Sequence, residues 1–340
     1  MKPRIRWLLC GGTIFMKTNS TGQLSYADEE IDKDDLLARF KELHSLVDIN
    51  SDDIVNLGSV SRKDSSNIDP SDWEKIAKEA ADSLNRGYDG VLITHGTDSM
   101  HYTSAALSFM LKGFTKTIAL TGSQIAVDEE NSDAPKNIYD AANAAAYGRF
   151  GVCIVFASKI IRGTRARKTS SKAIDAFDSF CAPLLGSIND IPTQHQQEKL
   201  QEKIEIDAKM QKKVGYIKVF PGINPDILDW YIDCDYKGII IEGLGAGHAN
   251  TDTNGLSFVP GAKRAKEAGV PVFMCTQCNG GKVDLRYEVG AKLHDAGVVG
   301  LGDMLPEVAI TKLMYVTGQY KDAEIIKTAM LQNMAGEINL

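Results

Sequence analysis

Short apolar runs alternate with amphipathic stretches along this chain. The runs are Ile5 to Cys10, Gly90 to Ile93, Thr117 to Leu120, Val152 to Phe156, Val214 to Val219, Gly238 to Ile241 and Val270 to Met274. Apart from Arg6, Thr117 and Lys218 they read as continuous apolar runs rather than alternating ones, the pattern of parallel strands buried on both faces. Helical stretches between them predict an α/β fold. One helix is predicted from Ser71, where Ser71 and Glu74 have capping-box spacing and Trp73, Ile76, Ala77 and Ala80 recur at helical intervals. The stretch from Gly186 to Lys213 is rich in Gln, Lys and Glu and poor in apolar residues. It reads as a connector, with a short edge hairpin around Lys203 to Ile206. The expected domains are therefore 1-185 and 214-340, with 186-213 between them.

Several predicted strands end in small polar clusters. Gly11-Gly12-Thr13 follows Cys10, Thr94-His95-Gly96-Thr97-Asp98 follows Ile93, Thr121-Gly122-Ser123-Gln124 follows Leu120, and Glu242-Gly243-Leu244-Gly245-Ala246-Gly247 follows Ile241. In open parallel sheets the ligand crevice lies beyond the carboxyl ends of the strands, so these loops are expected to converge. A dinucleotide loop is not met, because His248 stands after Gly247, and no P-loop occurs. Thr13 and Thr97 each follow a glycine. A threonine there is either a helix cap or a nucleophile, and a nucleophile needs a base. No G-x-S-x-G elbow is present and the six histidines form no triad pattern. Lys168, in the run Arg162 to Ser171, is the alternative base; its bland counterpart is a solvated basic turn.

Composition narrows the classes. Among 340 residues, 38 are Lys or Arg and 45 are Asp or Glu, a net charge of −7 that disfavours a nucleic-acid binder. Hydrophobic residues at 43% and charged residues at 24% are globular values. No run reaches the ~18 apolar residues needed to span a membrane, and the apolar stretch near Met1 is too short for a signal-peptide core. Six sparse cysteines suit a reduced, cytoplasmic protein. Cys275 and Cys278 are spaced C-x-x-C, but no second pair accompanies them, so no metal is expected.

At these motifs the chain resembles the bacterial-type L-asparaginases, most closely the type I, cytoplasmic branch. Gly11-Gly12-Thr13-Ile14 is similar to the first family signature and His95-Gly96-Thr97-Asp98-Ser99-Met100 to the second. Asp64 to Ile68, Thr121 to Ile125, Arg162 to Lys168 and Thr276 to Val283 also match. The resemblance implies a larger N-terminal, doubly wound, mostly parallel sheet domain and a smaller, flavodoxin-like C-terminal α/β domain. It implies hydrolysis of L-asparagine to L-aspartate and ammonia without cofactor or metal. Thr13 matches the nucleophile, Tyr26 the mobile-loop tyrosine, and Thr97, Asp98 and Lys168 the second catalytic cluster. Asp98 also matches the holder of the substrate amino group. Ser65 and Ser66 match the carboxylate-binding positions, and Gly12, Gly96 and Ser123 lie in the substrate-binding loops. The family implies a homodimer or homotetramer, with no nucleic-acid or membrane partner.

The sequence departs from the family at several points. Cys10 replaces a usual threonine, and Asn67 a frequent aspartate. Type I enzymes can carry an activating second asparagine site, whose cysteine matches Cys278. Arg167 and Glu242 replace a threonine and an arginine associated with it, so weak or absent activation is expected. Two rivals remain. One is the asparaginase-like subunit of a tRNA-dependent amidotransferase, which uses the same threonines on glutamine. That subunit carries a further domain ahead of its Gly-Gly-Thr motif, whereas Thr13 lies near the start here. The other is a non-catalytic amino-acid sensor on the same fold, disfavoured by the retained Thr13, Thr97, Asp98 and Lys168.

Overall fold

A computed structural model describes residues 1–18, 24–25, 31–191, 203–252 and 255–339. It divides into two units, Met1–Ala208 and Lys209–Leu340.

The first unit is built on a seven-stranded sheet. Ile54–Asn56, Ile5–Cys10, Gly90–His95, Ile118–Thr121 and Val152–Phe156 run parallel in that spatial order. Lys159–Arg162 and Gly186–Ser187 extend the sheet antiparallel. Ile5, Trp7, Leu9, Leu92, Ala119, Cys153 and Val155 pack on one face against Ala134, Ile138, Ala141 and Ala145 of helix Ala134–Tyr147. Alternation along the strands turns the intervening residues to the opposite face, where helices Pro70–Asn85 and Met100–Met110 pack. Both faces are covered, which is why the strands read as continuous apolar runs. Inside the sheet, Trp7 Nε1 donates to Thr94 Oγ1 at 3.2 Å.

Two sequence expectations are corrected. The helix expected from Ser71 begins at Pro70, capped by Asp69. Asp69 accepts from Ser71 N at 2.7 Å and the Asp72 carboxylate accepts from Asp69 N at 3.1 Å, so the capping box is Asp69–Asp72, with proline at the first helical position. Trp73, Ile76, Ala77 and Ala80 are buried as expected. Of the stretch 186-213 read as a connector, residues 186–191 and 203–208 are described and cluster with the first unit. Gly186–Ser187 is a sheet edge, and Glu205–Ile206 pairs with Leu111–Lys112 rather than with its own neighbours. Edge strands this polar carry no apolar signal to read.

The second unit holds a parallel sheet in sequential order: Gly215–Lys218, Ile239–Gly243, Val272–Thr276 and Val298–Gly300. Ile239, Ile241, Val272 and Met274 share a core with Leu228, Ala262, Ala265 and Leu293, which lie on helices Ile227–Asp233, Val259–Glu267 and Glu288–Asp295. Right-handed crossovers between sequential strands place successive helices on one face. Helix Pro306–Gln319 packs on the central strands and on the last helix, Ala323–Leu331. The chain beyond it is tied down by a fully buried ion pair, Lys312 Nζ to Glu337 Oε1 at 2.6 Å. Lys312 also donates to the carbonyl of Met330 at 2.9 Å, and Glu337 accepts from the backbone N–H of Met334 and Ala335. Burial pushes the Lys312 ammonium down despite its partner.

Candidate active site

Register aligns the loops of the first unit. Cys10 pairs with His95 and Thr94 with Thr121. Three strands therefore stop side by side, and Gly11-Gly12-Thr13, Gly96-Thr97-Asp98 and Gly122-Ser123-Gln124 leave the sheet as neighbours. Glycine makes the fit possible. Gly12 has φ +102°, and a Cβ there would lie 2.6 Å from the Gly96 nitrogen. A Cβ on Gly96 would lie 2.6 Å from Ser65 Cβ. Gly12 and Gly96 thus stack backbone to backbone, with the Ser65 side chain against Gly96 and Thr13 half-buried at the start of a 3₁₀ turn, Thr13–Phe15.

The Ser65–Asn67 turn is latched onto the second loop. Ser65 Oγ accepts from Asp98 N at 3.2 Å, and Ser99 Oγ donates to the Ser65 carbonyl. Ser65 is buried, and its hydroxyl proton has no acceptor among the described residues. Ser66 is exposed, and its hydroxyl already donates to Asp64 Oδ1 at 2.6 Å. The two serines expected to share one role are therefore not equivalent. Ser65 offers a donor, whereas Ser66 must first release Asp64.

Lys168 ends the hairpin strand Ala166–Lys168, which pairs with Phe177–Ser179. Its Nζ donates to Thr97 Oγ1 at 2.7 Å and to Asp98 Oδ1 at 2.7 Å. The solvated-turn reading fails at Lys168, whose side chain is 14% exposed. Thr97 is buried, while the Asp98 side chain is 65% exposed and its second oxygen makes no hydrogen bond among the described residues.

Gln124 was missed by sequence reasoning. Its Nε2 donates to the carbonyls of Ser170 and Ala173 at 3.3 and 3.1 Å. The amide is therefore oriented with Oε1 toward Thr97, whose hydroxyl donates to it at 3.3 Å. The loop itself is held from helix Ala134–Tyr147: Asp133 accepts from the N–H groups of Gln124 and Ile125, and Asn137 Nδ2 donates to the Gly122 carbonyl at 3.0 Å. Neighbouring Ser123 is buried, and its hydroxyl has no hydrogen-bond partner among the described residues. A buried orphan hydroxyl is what a bound polar ligand satisfies.

Tyr26 falls outside the described residues. Cys10 is fully buried and burial pushes its thiol up, so it packs rather than reacts. In the second unit Glu242 is buried, accepting from Tyr216 Oη at 2.7 Å and from Lys218 Nζ at 3.2 Å. Cys275 is buried and Cys278 exposed, both as free thiols. Among the described residues no cluster of three or more His, Cys, Asp or Glu side chains is placed to hold a metal ion. No described helix is long and apolar enough to cross a membrane.

Residues 4–201 match the family model "Asparaginase, N-terminal" and residues 213–330 the "Glutaminase/Asparaginase C-terminal domain". The chain belongs to the asparaginase family. Its fold is similar to the thermostable L-asparaginase from Thermococcus kodakarensis, at a TM-score of 0.86 and 34% identity over 100% of this chain and 99% of that one. It is also similar to L-asparaginase I from Vibrio cholerae, at a TM-score of 0.84 and 30% identity over 100% of both chains. Among curated proteins it is 37% identical to a glutamyl-tRNA(Gln) amidotransferase subunit of Pyrococcus furiosus, over 99% of this chain and 77% of the relative.

Proposed function

We propose that this protein releases ammonia from the side-chain amide of an amino acid through a threonine-bound acyl-enzyme. The observation that carries the reading is Lys168 Nζ at 2.7 Å from both Thr97 Oγ1 and Asp98 Oδ1, beside the loop that presents Thr13. Thr13 Oγ attacks the amide carbon, the amide nitrogen takes a proton and leaves as ammonia, and an ester remains on Thr13. Water then attacks the ester, giving the carboxylic acid and the free hydroxyl. Thr97 and Lys168 relay the protons; Lys168 accepts only when its nitrogen is uncharged, and Asp98 stabilises it when charged. Ser65 and Ser123 supply hydroxyl donors to the substrate, and the free oxygen of Asp98 receives its ammonium group.

Two substrates divide this chemistry. L-asparagine is supported by the two asparaginase structures, which match along the whole chain. Glutamine, with ammonia passed to a glutamyl-tRNA, is supported by the curated amidotransferase relative. The second reading implies a partner protein and a nucleic-acid acceptor, against the expectation from the net charge of −7. Ammonia release from asparagine and glutamine, each measured with and without glutamyl-tRNA and a cognate partner protein, separates them. Fast asparagine turnover by the chain alone supports the hydrolase. Turnover of glutamine that requires the partner supports the amidotransferase reading. Self-association as a homodimer or homotetramer is part of the hydrolase reading and is measured by light scattering.

A further inference from the structure

The hydrogen bonds around His95 have one allowed direction. His95 is fully buried at the end of strand Gly90–His95, just before the Gly96–Thr97 peptide. Its Nδ1 lies 2.7 Å from the Gly96 carbonyl oxygen. A carbonyl only accepts, so Nδ1 carries the proton and Nε2 is a bare acceptor. Thr103 Oγ1 lies 3.0 Å from Nε2 and must donate to it. Thr103 in turn accepts from Trp73 Nε1, an obligate donor, at 3.0 Å. The chain of bonds runs from helix Pro70–Asn85 through helix Met100–Met110 to the backbone beside Thr97. Burial also holds the imidazole neutral, with its pKa lowered to about 4.

The peptide that receives these bonds is trans. In a trans peptide the carbonyl and the following N–H point to opposite sides. Drawing the Gly96 oxygen toward the imidazole turns the Thr97 N–H away from it.

We propose that His95, oriented by Thr103 and Trp73, is a positioning residue that fixes the Gly96–Thr97 peptide so that the Thr97 N–H faces the substrate amide oxygen. When the nucleophile attacks, electrons of the C=O bond move onto that oxygen, and the fixed N–H stabilises the charge without transferring its proton. This role rests on the amidase reading given above. His95 touches no substrate atom in it.

The test uses full-length protein and measures kcat and KM for ammonia release, with thermal unfolding alongside. His95→Asn keeps an N–H donor near the place of Nδ1; His95→Gln moves the amide toward the place of Nε2 and leaves the Gly96 oxygen without a donor. His95→Gln is expected to lower kcat about a hundredfold, with KM within about threefold, whereas His95→Asn restores most of that kcat. Thr103→Val is expected to lower kcat about tenfold and Thr103→Ser to retain it, which keeps the test open if a His95 variant does not fold. Nitrogen NMR of the wild-type ring is expected to show the Nδ1–H tautomer. Equal losses in His95→Asn and His95→Gln, an unchanged kcat in His95→Gln, or the Nε2–H tautomer overturn the proposal while leaving the amidase reading intact. Wild-type protein that releases no ammonia from either amide, with or without glutamyl-tRNA and a cognate partner protein, overturns the amidase reading, and this role with it.

Discussion

The two units share an architecture and differ in how their strand-end loops are satisfied. Both carry parallel strands with polar residues at the carboxyl ends. In the second unit several of those residues bond to neighbouring side chains and carbonyls, while His248 Nε2 is buried without a partner among the described residues. Glu242 is held by Tyr216 and Lys218, Gln277 Nε2 donates to the carbonyls of Val219 and Glu242, and Thr276 donates to the Gly245 carbonyl. In the first unit Ser123 keeps an orphan hydroxyl, Asp98 keeps an exposed oxygen, and Lys168 spans Thr97 and Asp98. A shared architecture does not decide function; what sets the first unit apart is Lys168 spanning Thr97 and Asp98 beside the unpartnered Ser123 hydroxyl.

The sharpest break in the comparison is Lys168→Met. It removes a charge that holds both Thr97 and Asp98, and ammonia release is expected to fall about a thousandfold or more with folding retained. In the second unit the largest expected effect is structural. Lys312→Met leaves Glu337 buried without its cation and is expected to cost about 3–5 kcal/mol in urea unfolding, while ammonia release per folded molecule stays unchanged. The double change Lys312→Met with Glu337→Leu removes both charges and is expected to recover much of that loss.

The pH dependence is a further expected difference. Burial lowers both His95 and His101 to about 4, from an ordinary value of 6.5. The unfolded chain takes up protons on these rings as pH falls below 6.5, and the folded chain does not until about 4. Stability present near neutral pH is therefore lost as pH falls from 6.5 toward 4, by roughly 3 kcal/mol per histidine at the acid limit. Urea midpoints between pH 7 and 4 measure it, and His101→Gln should flatten the slope. The smallest effect concerns regulation. With Glu242 buried and bonded to Tyr216 and Lys218, asparagine saturation is expected to be hyperbolic, and a clearly sigmoidal curve contradicts that.

Much of this site was legible because it is written in local pattern. Apolar runs ending in Gly-Gly-Thr and His-Gly-Thr-Asp reveal strand ends, and a parallel sheet puts strand ends together. The Lys168 contact was legible only as a suspicion, since 71 residues separate it from Thr97 and only the Ala166–Lys168 hairpin brings them together. Gln124 was hidden because its role depends on where the carbonyls of Ser170 and Ala173 fall. His95 read as part of a motif, but its tautomer depends on the Gly96 carbonyl, and its ring is completed by Thr103 and Trp73, which lie on two different helices. The polar edge strands Gly186–Ser187 and Glu205–Ile206 had no apolar periodicity to reveal them.

The most direct measurement is ammonia release from asparagine and glutamine by wild-type protein and by Thr13→Ala. Steady release by the wild type, reduced to background in Thr13→Ala, is the result this account predicts. Release that survives loss of the Thr13 hydroxyl, or no release from either amide by the wild type with or without glutamyl-tRNA and a cognate partner protein, contradicts it.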